Sequence, residues 1–215
     1  MMAPVQDSRL VSTAALIPLV RLRVLHLPHT EGADALVHGY LIEAAIIFCK
    51  ESMLVHLERT FDHVFEGQTV SFAMTSSINR QARQEVRAPQ VTGSVIHRIT
   101  AEGHSLTPGQ HFHLQSTESI RFMAPLNQVC IIGAIEPLPT ATLIPAALVE
   151  SYAHELACGA AYLLQQLQAK PWTNHELAQT NQRKFYDGIR AAYRFRIEQT
   201  ESARVQNPVR ERHFF

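Results

Sequence analysis

The apolar positions of this chain change their spacing from one segment to the next. After Thr30, whose side chain suits an N-cap, they recur at three- and four-residue steps, which predicts an amphipathic helix ending near Asp62. Between Gly67 and Pro139, short runs rich in Val, Ile, Phe and Thr are separated by Gly, Pro, Ser and Asn, which predicts a small antiparallel sheet. Beyond Pro139 the helical spacing returns.

The C-terminal part predicts two helices joined by a tight turn. Pro145 suits the first turn of the earlier helix, because a proline there gives up no hydrogen bond. Pro171 and Trp172 stand at the turn, and the spacing of Thr173 and Glu176 is that of a capping box opening the later helix. We expect Trp172 to pack in the elbow between the two helices.

These patterns predict an α+β fold: a long-helix bundle (the N-terminal helix plus two C-terminal helices) with a small antiparallel β-sheet insertion and extended terminal arms. Alternation from Arg21 to Val24 predicts extended chain within the N-terminal arm. The predicted segments are 1–29 (arm), 30–66 (first helical segment), 67–139 (β-rich insertion with an exposed loop 76–90), 140–200 (helical pair) and 201–215 (docking tail).

The predicted tail combines arginines with two terminal aromatic residues on a segment that has no helical pattern. Aromatic residues and Arg are enriched at protein interfaces, so we expect the tail to dock on another protein, and the alternative is a tail that folds back on its own domain. The candidate docking residues are Arg204, Val205, Arg210, Arg212, Phe214 and Phe215.

Charge and composition narrow the function classes. The chain has 19 basic and 19 acidic residues, which gives no overall reason to expect nucleic acid or a membrane surface. Segment 170–215 nevertheless holds more basic than acidic residues, and such asymmetry suits head-to-tail self-association as well as a solvated helix face. The 3 cysteines are far apart, which favours buried thiols in a reducing compartment over disulfides or a zinc site. No membrane helix and no secretory signal are predicted.

The sequence has none of the common catalytic or nucleotide-binding motifs, and we expect no enzymatic activity and no cofactor. The alternative to a purely structural role is a metal site at His111, His113 and Glu118, whose spacing resembles the first half of the cupin metal motif. The alternatives are therefore a metal-dependent cupin-like enzyme using these three residues and a cytosolic regulatory module that binds a small ligand between its helices.

A series of short motifs in fixed order resembles the head–tail connector (adaptor) proteins of short-tailed bacteriophages. The resemblance spans roughly residues 15–215, and its most telling part is the run from Lys170 to Asn174 between two long helices, followed by an Arg–aromatic tail. The other motifs include Ala44-Ala45, Phe48-Cys49, Ser52, Glu136 to Pro139, Gly159-Ala160, Gly188-Ile189 and Arg212 to Phe215. The sequence departs from the family in having no tryptophan after Ser52.

The resemblance implies a structural protein of the virion, made in the host cytoplasm. It would form a ring, usually of twelve copies, beneath the portal protein, continue the DNA channel and offer a platform for tail attachment. The implied partners are other copies of itself, the portal protein, a tail or nozzle protein and, transiently, double-stranded DNA during ejection; no membrane is involved.

Overall fold

A computed structural model describes residues 9–72, 89–117 and 119–198. The α-helices of these residues are α1 Ile17–Arg21, α2 Glu31–Ser52, α3 Ala146–Gln165 and α4 His175–Glu198. The strands are β1 Leu10–Ser12, β2 His56–Val64, β3 Thr69–Ser71, β4 Val91–Ala101, β5 His104–Ser105, β6 Phe112–Leu114, β7 Ser119–Phe122, β8 Leu126–Pro137 and β9 Leu143–Pro145. A 3₁₀ turn, Thr13–Leu16, joins β1 to α1.

The fold class predicted from the sequence, a long-helix bundle with a small sheet insertion, is wrong. About 29% of the described chain is strand, arranged in three antiparallel sheets with the orders β1-β9, β2-β8-β4-β5 and β3-β7-β6. The prediction underestimates the sheet because the whole of β2 lies in the segment predicted as helical. The chain is α+β, with a substantial β part beside its helices.

Helix α2 ends earlier than its apolar pattern predicts. Met53 adopts the left-handed conformation with φ of 50°, and its N–H donates to the Cys49 carbonyl at 2.9 Å, a geometry that terminates helices. The following strand β2 directs Leu57, Arg59 and Phe61 to one face of the sheet.

The N-terminal region also differs from its prediction. Where Arg21 to Val24 were expected to be extended, Arg21 ends α1 and the following residues form a turn, in which the Val24 N–H donates to the Val20 carbonyl at 3.0 Å. Val20 and Val24 are both buried, one helical turn apart, so the apolar residues of this stretch follow a helical spacing.

The two larger sheets pack face to face. Phe72, which follows β3, lies over Gly133 of β8 so closely that a Cβ atom at position 133 would lie 2.4 Å from its ring. Arg59 of β2 donates to the Ser71 carbonyl at 2.7 Å, which fixes the end of β3 over the larger sheet. Phe122 and Ile131, one from each sheet, belong to the buried core between them.

Helix α2 joins the sheets to the other helices. By length and composition alone it could span a membrane, with a mean hydropathy of 1.4 over an 18-residue window. Its buried side chains, among them Val37, Leu41 and Phe48, lie instead in the shared core with α3, α4 and β8. This packing accounts for the apolar composition of α2.

Candidate interaction surfaces

The elbow between α3 and α4 contains all the residues predicted for it, with one change of role. Asn174 caps α4, because its side-chain oxygen accepts the Leu177 N–H at 3.0 Å, whereas the sequence predicts Thr173 as the cap. The Thr173 hydroxyl instead donates to the Leu167 carbonyl and accepts the Lys170 N–H at 3.1 Å, which closes the turn.

The remaining elbow residues occupy different environments. Trp172 is half-buried and packs against the core, and its indole nitrogen is enclosed. Pro171 is exposed in the turn, and Glu176 is exposed in the first turn of α4, where a negative charge favours the helix dipole.

A buried polar bridge fixes the angle of the two C-terminal helices. Gln165 is fully buried at the end of α3, and its amide donates to the Arg23 carbonyl at 2.8 Å. The same side chain accepts from Asn181 of α4 at 2.9 Å. Three segments of the chain therefore meet at one glutamine, and α4 leaves the elbow in a defined direction.

The last turns of α4 expose apolar side chains. Phe195 is 49% exposed and Ile197 is 39% exposed, and together we call them the α4 tip. Phe185, Ile189 and Ala192 form the buried stripe of the same helix, from which the α4 tip points away. The two side chains are two residues apart, which is about 200° around the helix, so they flank the buried stripe on its two sides.

Behind the α4 tip, Arg196 turns towards the sheet. Its Nη1 atom lies 4.0 Å from the Met53 sulfur, and burial lowers the pKa of its guanidinium. Burial, Arg196 and His56 together lower the pKa of His97 from 6.5 to about 4, so His97 is neutral at physiological pH. Arg196 therefore lies close enough to His97 of β4 to disfavour a positive charge on its ring.

A groove of about 500 Å³ runs beside α4. Its lining combines Ile189 and Tyr193 with the charged Glu51, Arg190 and Arg194, and we call these five residues the α4 groove. Arg190 is paired with Asp187 at 3.0 Å, and Arg194 donates to the Arg190 carbonyl at 3.4 Å, so both guanidiniums are placed along its edge.

The turn after α1 carries a second exposed apolar surface. Leu22 is 78% exposed and Leu25 is 59% exposed, and we call this pair the leucine patch. Arg21, the last residue of α1, contacts Asp34 in the first turns of α2 at 2.6 Å, which places the leucine patch near the start of α2.

The histidines of the cupin-like hypothesis lie at the start of β6. The Nδ1 atom of His111 accepts the Thr107 N–H at 3.1 Å, and His113 is exposed and directly opposite Arg121 of β7. A neighbouring guanidinium opposes the binding of a cation. Glu118 lies outside the described residues, and within the described ranges no group of three or more His, Cys, Asp or Glu side chains could hold a metal ion.

Two of the predicted features are not covered by the described ranges. The docking tail, with Arg204, Val205, Arg210, Arg212, Phe214 and Phe215, lies entirely outside them, as does most of loop 76–90. The leucine patch was not predicted, because the alternation from Arg21 to Val24 predicts extended chain there. It also missed the α4 tip, although a signal was available: Arg196 stands on the buried stripe, while Phe195 and Ile197 stand off it.

No model of a known protein family matches the sequence, and no curated protein matches it either. The resemblance to connector proteins therefore rests on the motifs quoted above.

Proposed function

We propose that this chain is a non-enzymatic structural subunit that docks on other proteins, and that it serves as a head–tail adaptor of a bacteriophage. The α4 tip carries the proposal. Phe195 and Ile197 stand exposed at the end of a helix whose inner face is buried, and the chain continues from Glu198 into the arginine- and phenylalanine-bearing tail.

Phe195 and Ile197 cost free energy as long as they are exposed to water. An exposed phenylalanine on a rigid helix gains free energy when a partner covers it, and little ordering is needed because the helix is already fixed. Arginines beside aromatic residues are the composition of interface hot spots. The α4 tip and the tail together would thus form one continuous docking element on the portal side.

The arrangement of the subunits in the virion follows from the resemblance to connector proteins. The subunits would form a ring, of about twelve copies in the family, beneath the portal protein. The sheets would face the tail or nozzle protein, where Phe65 is 63% exposed beyond the end of β2. The protein would be part of the virion, and double-stranded DNA would pass through the ring without being held tightly.

The proposal is tested by binding to the portal protein of the same phage. Deletion of residues 201–215 and the variant Phe195→Glu should each remove portal binding in a pull-down while the thermal midpoint stays unchanged. Phe65→Glu, at a more exposed phenylalanine beyond the end of β2, is the matched control and should bind as the unaltered chain does. Portal binding that survives both changes, or absence of the chain from purified virions, would refute the proposal.

A further inference from the structure

We propose that the tail, residues 201–215, pairs as an added strand with the outer edge of β2 in its own chain as long as no partner protein binds it. The inference deepens the proposed function, because it says where the tail lies before the portal protein takes it up. The release by the portal rests on that function, and the pairing itself does not.

Strand β2 is the outermost strand of its sheet. It has 9 residues and pairs with β8 on one side, and within the described ranges no strand pairs with its other side. The Ile135 N–H of β8 donates to the Val55 carbonyl at 3.0 Å. Because main-chain groups point to alternate sides along a strand, those of Glu58 and Thr60 point away from β8, and we call them the β2 edge. Such an edge is a template for another strand.

Helix α4 ends beside the start of β2. Arg196, in the last turn of α4, has its Nη1 atom 4.0 Å from the sulfur of Met53, three residues before β2. Burial lowers the pKa of His97 most, and Arg196 and His56, the first residue of β2, lower it further, so both lie near this ring. Residues 199–215 therefore leave α4 next to the first residues of β2.

The chain beyond α4 is long enough to follow the β2 edge. The 9 residues of β2 extend about 30 Å at about 3.3 Å per residue. Residues 199–215 span up to about 55 Å when extended, so they reach either end of β2. Pro208 has no N–H to donate, so a paired segment begins after it, at Val209.

The outer strand presents two carboxylates beside its free main-chain groups. Glu58 and Asp62 are exposed on the same face of β2, and in the described part of the chain neither has an ion-pair partner. Arg98 of β4 stands in the same row as Glu58, but β8 lies between them, which separates the two strands by about 10 Å. Arg59 turns to the opposite face, where it donates to the Ser71 carbonyl at 2.7 Å.

The tail carries the matching pattern of charges after Pro208. Arg210 and Arg212 are two residues apart, so an extended chain directs both to one face and Glu211 to the other. When this segment pairs with β2, the two arginines lie on the face of Glu58 and Asp62. Opposite charges on neighbouring strands stabilise the pairing. The argument depends on this alternation and not on the net charge of the tail.

A second copy fits the β2 edge less well than the tail. Two β2 strands paired antiparallel would place Glu58 and Asp62 of one copy beside those of the other, and like charges on neighbouring strands destabilise a sheet. The tail is also tethered close to the edge. A tether of this kind gives an effective concentration on the order of millimolar, which favours pairing within one chain.

Amide hydrogen exchange in the full chain, without portal protein, tests the pairing. The amides of Leu57 and Arg59 point towards β8 and should exchange slowly whatever the tail does. The amides of Glu58 and Thr60 point to the β2 edge, so they should exchange slowly only if an added strand covers them. Both should be protected in the unaltered chain.

Charge reversal identifies the added strand. Arg210→Glu/Arg212→Glu should accelerate exchange at Thr60 by about tenfold or more, because the pairing then opens more often. Arg204→Glu, which lies before the paired segment, is the matched control and should leave the rate unchanged. Glu58→Arg/Asp62→Arg in the Arg210→Glu/Arg212→Glu background should restore the slow rate, since the charges are again opposite.

Three results would overturn the inference. The first is fast exchange at Glu58 and Thr60 in the unaltered chain. The second is protection that survives Arg210→Glu/Arg212→Glu, because another segment then covers the edge. The third is protection that increases with protein concentration, because a second copy is then the occupant.

Adding the portal protein separates the inference from the proposed function. Exchange at Thr60 in the unaltered chain should rise to the rate of Arg210→Glu/Arg212→Glu when the portal binds. Portal binding that leaves Thr60 protected would overturn the release. If Thr60 is protected and the portal does not bind, only the proposed function fails. If the portal binds a chain in which Thr60 is never protected, only the inference fails.

Discussion

At the scale of single residues, Gly159 decides how closely α3 approaches its neighbours. A Cβ atom at this position would lie 2.6 Å from the Phe185 ring and 3.0 Å from the Ala44 side chain. The residues that would have to move belong to α4 and α2, and Phe185 is fully buried, so it has no open side to move towards. Gly39 on the exposed side of α2 has nothing within 4 Å of the same added atom.

The two glycines should therefore respond oppositely to alanine. Gly159→Ala should lower the free energy of unfolding by about 1–3 kcal/mol, the usual cost of overpacking. Gly39→Ala should raise it by about 0.5–1 kcal/mol, because alanine loses less backbone entropy in a helix. Urea unfolding of both variants would measure this. Equal effects of the same sign would contradict the close packing of α3.

His97 gives a residue-scale dependence on pH. Burial, Arg196 and His56 disfavour its charged form, so its folded pKa of about 4 lies below the ordinary value of 6.5. Between these values the unfolded chain binds a proton that the folded chain does not. Above pH 6.5 His97 is neutral in both states and lowers the free energy of unfolding by nothing. As the pH falls from 6.5 towards 4, the unfolded chain takes up the proton first, and the free energy of unfolding decreases.

We expect the variant His97→Gln to lose less stability than the unaltered chain between pH 6.5 and 4. Carboxyl groups also titrate in this window, but they are common to both proteins, so the difference between the two curves isolates His97. Chemical unfolding at several pH values would measure it. Parallel curves would show that His97 titrates normally in the folded state.

At the scale of elements, the sequence predicts features that depend only on neighbouring residues, such as helix caps and tight turns. Thr30 caps α2 by accepting the Ala33 N–H at 3.3 Å. Gly103 marks the connection between β4 and β5, which is a two-residue turn with φ of 50° at Glu102 and 82° at Gly103. Such turns require positive φ at both positions, which a glycine makes easy.

Features that depend on residues far away in the sequence could not be predicted. The apolar positions of residues 56–64 are compatible with a continued helix and with a strand. This segment forms strand β2 because it pairs with β8, which is far away in the sequence. The leucine patch depends on distant partners as well, because α2 and α3 pack against α1 and thereby decide which side chains of the turn after it stay exposed. The prediction of the fold was therefore accurate for the Thr30 cap and the turn before α4, and wrong for the cap of α4 and for the share of sheet.

The bridge at Gln165 offers a test at this scale. Gln165→Leu keeps a similar volume but leaves the Arg23 carbonyl and the Asn181 amide without their partner, which should cost about 2–4 kcal/mol. Asn181→Leu should lower the free energy of unfolding less in the Gln165→Leu background than it does alone. In that background it removes the asparagine amide that has already lost its partner. Gln179→Leu, exposed on the same helix, should change stability by less than about 0.5 kcal/mol. Additive effects in the double variant would show that the helices are not joined here.

At the scale of the whole molecule, the helices and the sheets share one core. The buried residues of α2, α3, β4 and β8 belong to a single cluster. At the point where α2 meets β8, Lys50 and Glu136 approach to 3.4 Å, and Cys49 is fully buried. The shared core joins the helices to the sheets, so the α4 tip and Phe65, which follows β2, stay at a fixed separation.

Unfolding should therefore be a single cooperative transition. Trp172, the 1 tryptophan of the chain, reports on the helices by fluorescence, and its denaturation curve should superimpose on the curve from far-UV circular dichroism. The decisive variant is Leu41→Ala in α2, which should lower stability by about 2–5 kcal/mol. In hydrogen exchange it should lower the opening free energy of amides in β8 as much as that of amides in α3. Leu114→Ala, an exposed control, should leave both unchanged. If Leu41→Ala affected α3 alone, the helices and the sheets would unfold as separate units.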